Sequence, residues 1–363
     1  MNEIIILSMA KGWGGAEEYL DILMSRLIAR NIPHRIVVRE GGEFVKRNVK
    51  RAGMVSISHG LKGFFQLRQA FSGFANPLII HVNRYYDLIR GWYLKRPHPH
   101  SLLILYQHCY LNHPHRIPLS LADGIICISE FVKSSIAKKF PAMEKRIRVI
   151  NPGIDLDLFR KTKADYRIDG PVKIGMVGRF DKNQQDLILA AVGLKKKGIP
   201  ILIHLAGSGK PEEEARLHDF IAACGMREDV LFKGHIPHRS MPHFYLSMDI
   251  VASTMKREGL SLAAMEAMAC GLPFVAYDAP GFNEVINHTE NGILVDNDIE
   301  DFASVLQHLI ESMDTRKRLG RNAAKKAREY FGIDVNIESY LNFLEDLSIR
   351  RDVSSPSSIQ NVP

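Results

Sequence analysis

Two carboxylates stand eight positions apart in the most chemically suggestive stretch of the sequence, Glu258 and Glu266. A helix that begins near Ser261 directs its first unpaired N–H groups, and the positive end of its dipole, beside Glu258. This arrangement suits a ligand that carries phosphates and hydroxyls. The alternative is structural, with Glu258 near a helix start and Glu266 on a solvent-exposed helix face.

The elements that position these residues are short β-rich runs alternating with helical patterns, which favours βαβ units and parallel sheets. Two sets of about six predicted strands indicate an α/β protein with two doubly wound domains that face each other across a cleft. An irregular stretch after Asn151 marks the boundary. The predicted divisions are an N-terminal domain at 1–165, a second domain at 166–335, a terminal helix at 336–350 and a disordered tail at 351–363.

The segment around the two glutamates resembles the signature of glycosyltransferase family 4, the retaining glycosyltransferases of GT-B fold. That signature has two glutamates separated by seven residues before an Ala-Met-Ala-x-Gly-x-Pro run, matched here by Ala267–Pro273. The resemblance covers residues 1 to about 345, with further motifs in the family's order, Asn151–Asp155 at the inter-domain hinge among them. It implies that Glu258 binds the donor's sugar hydroxyls and Glu266 the ribose diol. The neighbouring substrate-binding residues are Gly259, Leu260, Ser261 and Leu262.

Two cations follow the predicted strand Val172–Val177, in the motif Gly178-Arg179-Phe180-Asp181-Lys182. The resemblance implies that Arg179 and Lys182 neutralise the leaving diphosphate, where fixed cations stabilise developing charge. Arginine offers a bidentate fork and lysine a compact point charge. Family members carry this lysine further on, where Gln184 stands here. We therefore assign the role to Lys182 and attribute the shorter spacing to a loop deletion.

Glycine turns after other strands resemble the remaining donor contacts of the family. Gly14 and Gly15 are expected to meet the donor phosphates, because a glycine pair lets the backbone approach a ligand. Gly207 and Gly209 resemble the turn that lines the nucleotide pocket, and Phe232 lies in the stretch whose backbone reads the base. Turns after strands are common, so a structural role for these residues stays open.

His108 ends a predicted strand, and the resemblance places it near the reacting carbon of the donor sugar. A neutral histidine there can hydrogen-bond the sugar or a backbone carbonyl. A structural strand-end histidine is the alternative, and His81 is a weaker candidate on the acceptor side. The region is rich in histidine, but no helical i, i+4 pair or carboxylate cluster supports a metal site. The histidines in question are His98, His100, His108, His113 and His115.

The resemblance as a whole implies transfer of a hexose or hexosamine from a nucleoside-diphosphate sugar, a UDP-sugar being our choice. The acceptor is a hydroxyl, the anomeric configuration is retained, and no metal or cofactor takes part. Two alternatives remain: a GT-B epimerase or hydrolase, and a non-catalytic protein that binds nucleotide sugars. A Rossmann dehydrogenase is disfavoured, because no Gly-x-Gly-x-x-Gly fingerprint follows the first strand.

Charge is distributed unevenly along the 363 residues. Residues 1–150 carry 22 Lys and Arg against 10 Asp and Glu, whereas the whole chain has a net charge of +8. A basic N-terminal half with aromatics at Phe64–Phe74 favours an anionic membrane surface or a phosphorylated glycolipid. The alternatives are a merely basic domain with core aromatics, and nucleic acid, for which no motif appears.

The predicted setting is the cytoplasm, with peripheral binding at the inner face of the cytoplasmic membrane. Ile4–Leu7 is too short for a signal peptide, and no apolar run reaches the roughly 18 residues of a membrane span. The four cysteines form no paired spacing, which fits a reducing compartment. From the basic N-terminal half and its aromatic residues we expect a glycan or glycolipid acceptor from bacterial cell-envelope synthesis, such as lipopolysaccharide.

Overall fold

The computed structural model describes residues 3–48, 53–74, 77–98, 100–110, 117–163 and 170–354. The chain divides into two compact units. Unit 1 combines Met1–Gly153 with Ile333–Pro363, and unit 2 is Ile154–Gly332. Each unit has its own parallel sheet, so the α/β class and the pair of doubly wound sheets predicted from the sequence are confirmed.

Unit 1 contains a seven-stranded sheet in the order β3-β2-β1-β4-β5-β6-β7, with every described pair parallel. The strands are β1 Ile4–Ser8, β2 His34–Arg39, β3 Met54–Ile57, β4 Ile79–Val82, β5 Leu102–Gln107, β6 Gly124–Cys127 and β7 Ile147–Val149. The helices are α1 Gly15–Ala29, α2 Glu43–Arg47, α3 Leu61–Ala70, α4 Leu88–Lys95, α5 Glu130–Ala137 and, from the chain's end, α12 Ile333–Ser354.

The strands β1, β4, β5 and β6 are buried along their whole length. They read as continuous apolar runs because helices cover both faces of a parallel sheet. β3 was missed from the sequence, since it is four residues long, partly exposed and lies at the sheet edge.

Unit 2 contains a six-stranded parallel sheet in the order β10-β9-β8-β11-β12-β13. Its strands are β8 Val172–Val177, β9 Ile201–Ala206, β10 Val230–Gly234, β11 Ile250–Ser253, β12 Phe274–Tyr277 and β13 Ile293–Val295. Its helices are α6 Gln184–Lys196, α7 Pro211–Ala223, α8 Met241–Leu246, α9 Leu262–Ala269, α10 Ile299–Glu311 and α11 Met313–Tyr330.

The terminal helix α12 packs on unit 1 rather than on the unit that precedes it. The Tyr19 hydroxyl donates to Asn336 Oδ1 at 2.8 Å, and His81 Nδ1 lies 2.9 Å from the Tyr340 hydroxyl. The division between units falls at Gly153, whereas the predicted boundary at 165–166 lies outside the described residues. Of the tail predicted as disordered, residues 351–354 end α12 and the rest also lies outside them.

Candidate functional site

The two sheets share one topology, and each has a switch point where the strand order reverses. In unit 2 the reversal lies between β8 and β11, which pair through Ile174 and Ile250. In unit 1 it lies between β1 and β4. Ligands of open α/β sheets bind beyond the carboxyl ends of the strands at such points. The predicted cations Arg179 and Lys182 lie in the loop that follows β8, and Glu258 lies in the loop that follows β11.

The loops after β8 and β9 approach each other through glycine. Gly178 has φ +150° and Gly207 has φ +145°, in a range that side chains rarely adopt. A Cβ added to Gly207 would lie only 1.9 Å from the carbonyl oxygen of Gly178. The Gly178 amide donates to the Ala206 carbonyl at 2.9 Å. These positions therefore admit only glycine without rearranging the loop that carries the cations.

Lys182 and Glu258 join the two loops of the switch point. Lys182 Nζ lies 2.5 Å from Glu258 Oε2, and the side chains are 29% and 19% exposed. Gln184, at the family's usual lysine position, is buried and binds the Arg179 carbonyl at 2.6 Å and the Lys182 amide at 3.1 Å. Gln184 thus holds the short loop together. This geometry supports our choice of Lys182.

Arg179 stands apart from this pair. Its guanidinium binds the carboxylate of Asp181, and its side chain is 60% exposed. The structure therefore brings Lys182 and Glu258 together, while Arg179 lies at the exposed edge of the same loop. A side chain that is mostly solvated and bound to a near neighbour is free to reorient toward a diphosphate.

The start of α9 lies as the sequence predicts, with Ser261 as its N-cap. The Ser261 hydroxyl accepts from the Ala264 amide at 3.2 Å. The preceding loop is fixed by Pro280, whose carbonyl accepts from the Glu258 amide at 3.1 Å. Gly281 has φ +89°, and a Cβ there would lie 2.4 Å from the Glu258 carbonyl oxygen. Buried Gly259 and Leu260 and half-buried Leu262 complete this turn.

Glu266 is buried, with 6% of its surface exposed, so the alternative of a solvated helix face is wrong. The Tyr245 hydroxyl donates to its Oε2 at 2.8 Å, and His238 Nε2 lies 3.0 Å from its Oε1. Burial, together with the Glu266 charge, raises the pKa of Tyr245 well above its usual value. The sequence analysis missed both partners. Tyr245 lies in α8, five residues before the start of β11, and no motif in the sequence marked it or His238.

Loss of the Tyr245 hydroxyl tests this arrangement. In Tyr245→Phe the buried Glu266 loses one of its donors, and an unsatisfied buried group costs about 1–3 kcal/mol. We expect the free energy of unfolding to fall by that amount and the donor KM to rise, as measured by urea denaturation and steady-state kinetics. The control Tyr340→Phe removes a buried hydroxyl from unit 1 and is expected to leave the donor KM unchanged. Equal KM values in the two variants contradict the assignment.

The predicted base-reading residue Phe232 is enclosed by rings on two sides. The His218 ring stacks on it at 4.0 Å between centroids, and Phe180 meets it edge-on at 5.4 Å. Gly209 lies against Phe180, since an added Cβ would come within 3.1 Å of the Phe180 Cβ. Gly209 and Phe232 therefore both lie beside Phe180, which belongs to the loop after β8.

In unit 1 the predicted glycine loop opens α1, with Gly14 as its N-cap. The backbone of Gly14 is extended at φ −160°, and an added Cβ would contact only Glu17 Oε2, at 3.6 Å. Glu17 is buried and accepts from Arg84 Nη2 at 2.8 Å. Gly14 therefore leaves open space beside the first turn of the helix, and Gly15 is the first residue of that turn.

His108 lies beyond the carboxyl end of β5, beside the end of β4. Its Nε2 lies 2.8 Å from Asn83 Oδ1, and its ring stacks on Tyr106 at 4.8 Å. Burial lowers the pKa of His108 to about 3, with smaller contributions from the nearby His81 and Arg84 charges. His108 is therefore neutral near pH 7. Asn83, whose buried Nδ2 has no hydrogen-bond partner among the described residues, was not predicted.

The depressed pKa of His108 has a consequence for stability. Between pH 6.5 and 3 the unfolded chain protonates this histidine and the folded chain does not, so stability falls as the pH falls. One such proton corresponds to about 1.4 kcal/mol per pH unit. We expect the slope of unfolding free energy against pH, measured from 6 to 4, to be shallower by that amount in His108→Asn. Identical slopes in the two proteins are incompatible with a His108 that stays neutral in the folded chain.

The other histidines do not extend the site. His113 and His115 lie outside the described residues, and within the described part no three His, Cys, Asp or Glu side chains form a group suited to a metal ion. Among the described helices, none combines the length and the apolar character that crossing a membrane requires.

Comparison with solved structures defines the class of protein first. The chain superposes on a structure titled Anabaena Alr3699/HepE in complex with UDP and glucose, with a TM-score of 0.82 and 19% identity, covering 95% of this chain and all of the other. It also superposes on the apo form of the lipopolysaccharide outer core galactosyltransferase WaaB, with a TM-score of 0.75 and 17% identity over 95% and 99% of the two chains. The protein has the GT-B fold of these transferases.

Sequence comparison then gives the family. The model described as Glycosyltransferase Family 4 matches residues 13–158, and the one described as Glycosyl transferases group 1 matches residues 159–326. The chain belongs to glycosyltransferase family 4, as its signature predicts.

The alignments with curated relatives cover only part of each protein. The D-inositol 3-phosphate glycosyltransferase of Xylanimonas cellulosilytica is 27% identical over 64% of this chain and 59% of its own length. That of Paenarthrobacter aurescens is 31% identical over 57% and 54%. The chain thus spans less than two thirds of the length of these relatives.

Proposed function

We propose that this chain is a retaining glycosyltransferase that moves a hexose or hexosamine from a UDP-sugar to an acceptor hydroxyl. The proposal is carried by the Lys182–Glu258 contact of 2.5 Å at the β8–β11 switch point, beside the capped start of α9. The UDP, glucose and UDP-glucose bound in the Anabaena structures support the choice of donor.

The contacts of Lys182, Glu258 and Glu266 leave capacity for a donor. A lysine ammonium has three N–H donors, so Lys182 keeps two for a diphosphate oxygen after binding Glu258. An ionised carboxylate offers about four acceptor sites, and Glu266 uses two on Tyr245 and His238. The remaining acceptors suit ribose hydroxyls. Glu258 accepts from hydroxyls of the transferred sugar.

The proposed step is a front-face displacement at the anomeric carbon. The bond from that carbon to the diphosphate oxygen breaks, and the acceptor oxygen bonds on the same face, which retains the configuration. The acceptor proton passes to the departing diphosphate. Lys182, Arg179 and the N-terminal amides of α9 stabilise the negative charge on this leaving group, so no metal is required. The carboxylates do not act as the nucleophile and acid of a glycosidase.

We assign the acceptor to unit 1, whose strongly basic sequence suits a phosphorylated acceptor. The D-inositol 3-phosphate for which the curated relatives are named has that chemistry. WaaB, a galactosyltransferase of the lipopolysaccharide outer core, supports a cell-envelope acceptor as the second candidate. Neutral His108 and the free amide of Asn83 lie together at the carboxyl edge of this sheet and offer hydrogen bonds to sugar hydroxyls. A cell-envelope glycan is the product class that we propose.

An exposed aromatic face on unit 1 supports peripheral docking on an anionic membrane. Tyr86, Ile89 and Trp92 are 68%, 42% and 38% exposed, and the Arg96 guanidinium lies 5.2 Å above the Trp92 ring. Such amphipathic surfaces lie in the membrane interface with their cations near anionic headgroups. Co-sedimentation with phosphatidylglycerol vesicles at low salt tests the docking. We expect Tyr86→Ser to weaken co-sedimentation. Wild-type protein that stays in the supernatant would contradict the docking.

The activity is tested by incubating the protein with UDP-sugars and either D-inositol 3-phosphate or a lipopolysaccharide core oligosaccharide. We expect a new glycoside, with the donor's anomeric configuration by NMR, formed equally well in EDTA. The control is an incubation with the same UDP-sugars and no acceptor. Epimerised or hydrolysed donor at a rate that the acceptors do not change would favour the alternative epimerase or hydrolase. Donor binding without any turnover favours a binding protein.

A further inference from the structure

A basic cavity of about 330 Å³ lies in unit 2, at the end of α9 opposite to the proposed donor residues. Four of its lining residues are cationic and several of the others are small. The residues that matter here are Lys163, Gly271, Lys317, Gly320, Arg321 and Arg328. The volume falls at the lower end of the range for small-molecule sites.

Three of the cations give the cavity its charge. Lys163 is neutralised inside the protein, since its Nζ lies 2.9 Å from Asp249 Oδ1 and the Asp249 side chain is 2% exposed. Lys317 and Arg321 stand one turn apart on α11, and Arg328 lies near the end of the same helix. None of the described lining residues is acidic. Among the described lining residues, the positive charges thus exceed the negative ones by about three once Lys163 is paired with Asp249.

These cations are not needed to cap α9. Its last carbonyls already accept backbone amides: Glu266 from Cys270 at 3.1 Å, Ala267 from Leu272 at 3.1 Å and Met268 from Gly271 at 2.8 Å. The Cys270 carbonyl in turn accepts from the Lys163 amide at 2.8 Å. A helix end satisfied in this way leaves the side chains of α11 without a structural task there.

Small residues keep the cavity open between α9 and α11. Gly271 has φ +73°, and a Cβ there would lie 3.2 Å from the Thr162 Cβ. Gly320 and Ala324 are buried on the facing side of α11. The negative end of the α9 dipole, about half a charge, opposes an anion, but the three cations exceed it.

We propose that this cavity binds a soluble phosphorylated small molecule through Lys317, Arg321 and Arg328. Guanidinium groups recognise phosphate through paired N–H donors, and lysine adds a point charge. The eight residues of α9 separate the cavity from Ser261 by about 12 Å, so its occupant is not the donor diphosphate. The inference is therefore independent of the proposed function.

Equilibrium dialysis with radiolabelled inorganic phosphate at low ionic strength tests the site. We expect Lys317→Gln combined with Arg321→Gln to weaken one class of phosphate binding by about tenfold or more. The matched control Lys325→Gln removes an exposed charge of α11 outside the lining and is expected to keep binding within about twofold. The Arg179→Ala variant is expected to lose any phosphate bound at the proposed donor loop. It should keep the class of phosphate binding that we assign to the cavity.

A charge-conserving variant distinguishes a loss of phosphate binding from a loss of folding. Lys317→Arg with Arg321→Lys is expected to retain phosphate binding, and all variants are compared by melting temperature. Phosphate also raises the melting temperature of a protein that binds it only in the folded state, and the doubly neutralised variant should lose this shift. Unchanged phosphate binding in that variant, or no binding by the wild type, overturns the proposal. A transferase inactive on every donor leaves the phosphate result unaffected.

Discussion

Replacement of Arg179 by alanine is expected to lower kcat by about 10²–10³-fold, the effect typical of removing one group that stabilises charge in a transition state. The guanidinium is 60% exposed and contacts Asp181 within its own loop, so the fold does not depend on it. The melting temperature should stay within about 1–2 °C of wild type, because exposed ion pairs contribute little to stability. Turnover is measured with a saturating UDP-sugar and acceptor.

The control for Arg179→Ala is Arg227→Ala, which removes the same charge from an exposed position of unit 2. It should leave kcat unchanged. A loss of kcat in both variants points to long-range electrostatics rather than a local role. Near-normal turnover in Arg179→Ala contradicts the proposed stabilisation of the leaving group and leaves Lys182 as the main cation.

The fold was largely predictable because parallel strands that are buried on both faces consist of continuous apolar runs, which can be recognised in the sequence. Strand β8 has the predicted bounds, Val172–Val177. β3 was not found, because a short edge strand with two half-buried residues and an exposed serine has no such run. The attachment of α12 to unit 1 was not predicted, since a helix pattern reveals a buried face but not its partner.

The candidate site was predictable where residue type and local spacing carry the information. A helix that starts near Ser261, with Glu258 just before it, was predicted, and Ser261 is the N-cap of α9. The pairing of Lys182 with Glu258 joins residues 76 positions apart and needs the strand order that only the structure supplies. Tyr245 and Asn83 escaped prediction for the same reason, because their roles depend on which groups lie beside them.

The part of the proposed site in unit 2 also depends on how its backbone loops pack. In unit 2 the loops after β8 and β9 are held at a separation that excludes even a methyl group. Lys182 itself packs over Gly178, whose added Cβ would lie 2.8 Å from the Lys182 Cδ. A change that widens this contact is expected to displace the cation from Glu258.

Gly207→Ala makes that change, and we expect it to lower the stability of unit 2 by about 3 kcal/mol or more and to abolish turnover. The alanine would have φ +145°, a strained region for any side chain, and its Cβ would overlap the Gly178 carbonyl. Gly193→Ala is the matched control, because Gly193 lies within α6 and has nothing within 4 Å of an added Cβ. There the same methyl group should stabilise by about 0.5–1 kcal/mol. Urea denaturation should thus give shifts of opposite sign, and equal shifts would show that the two loops can separate freely.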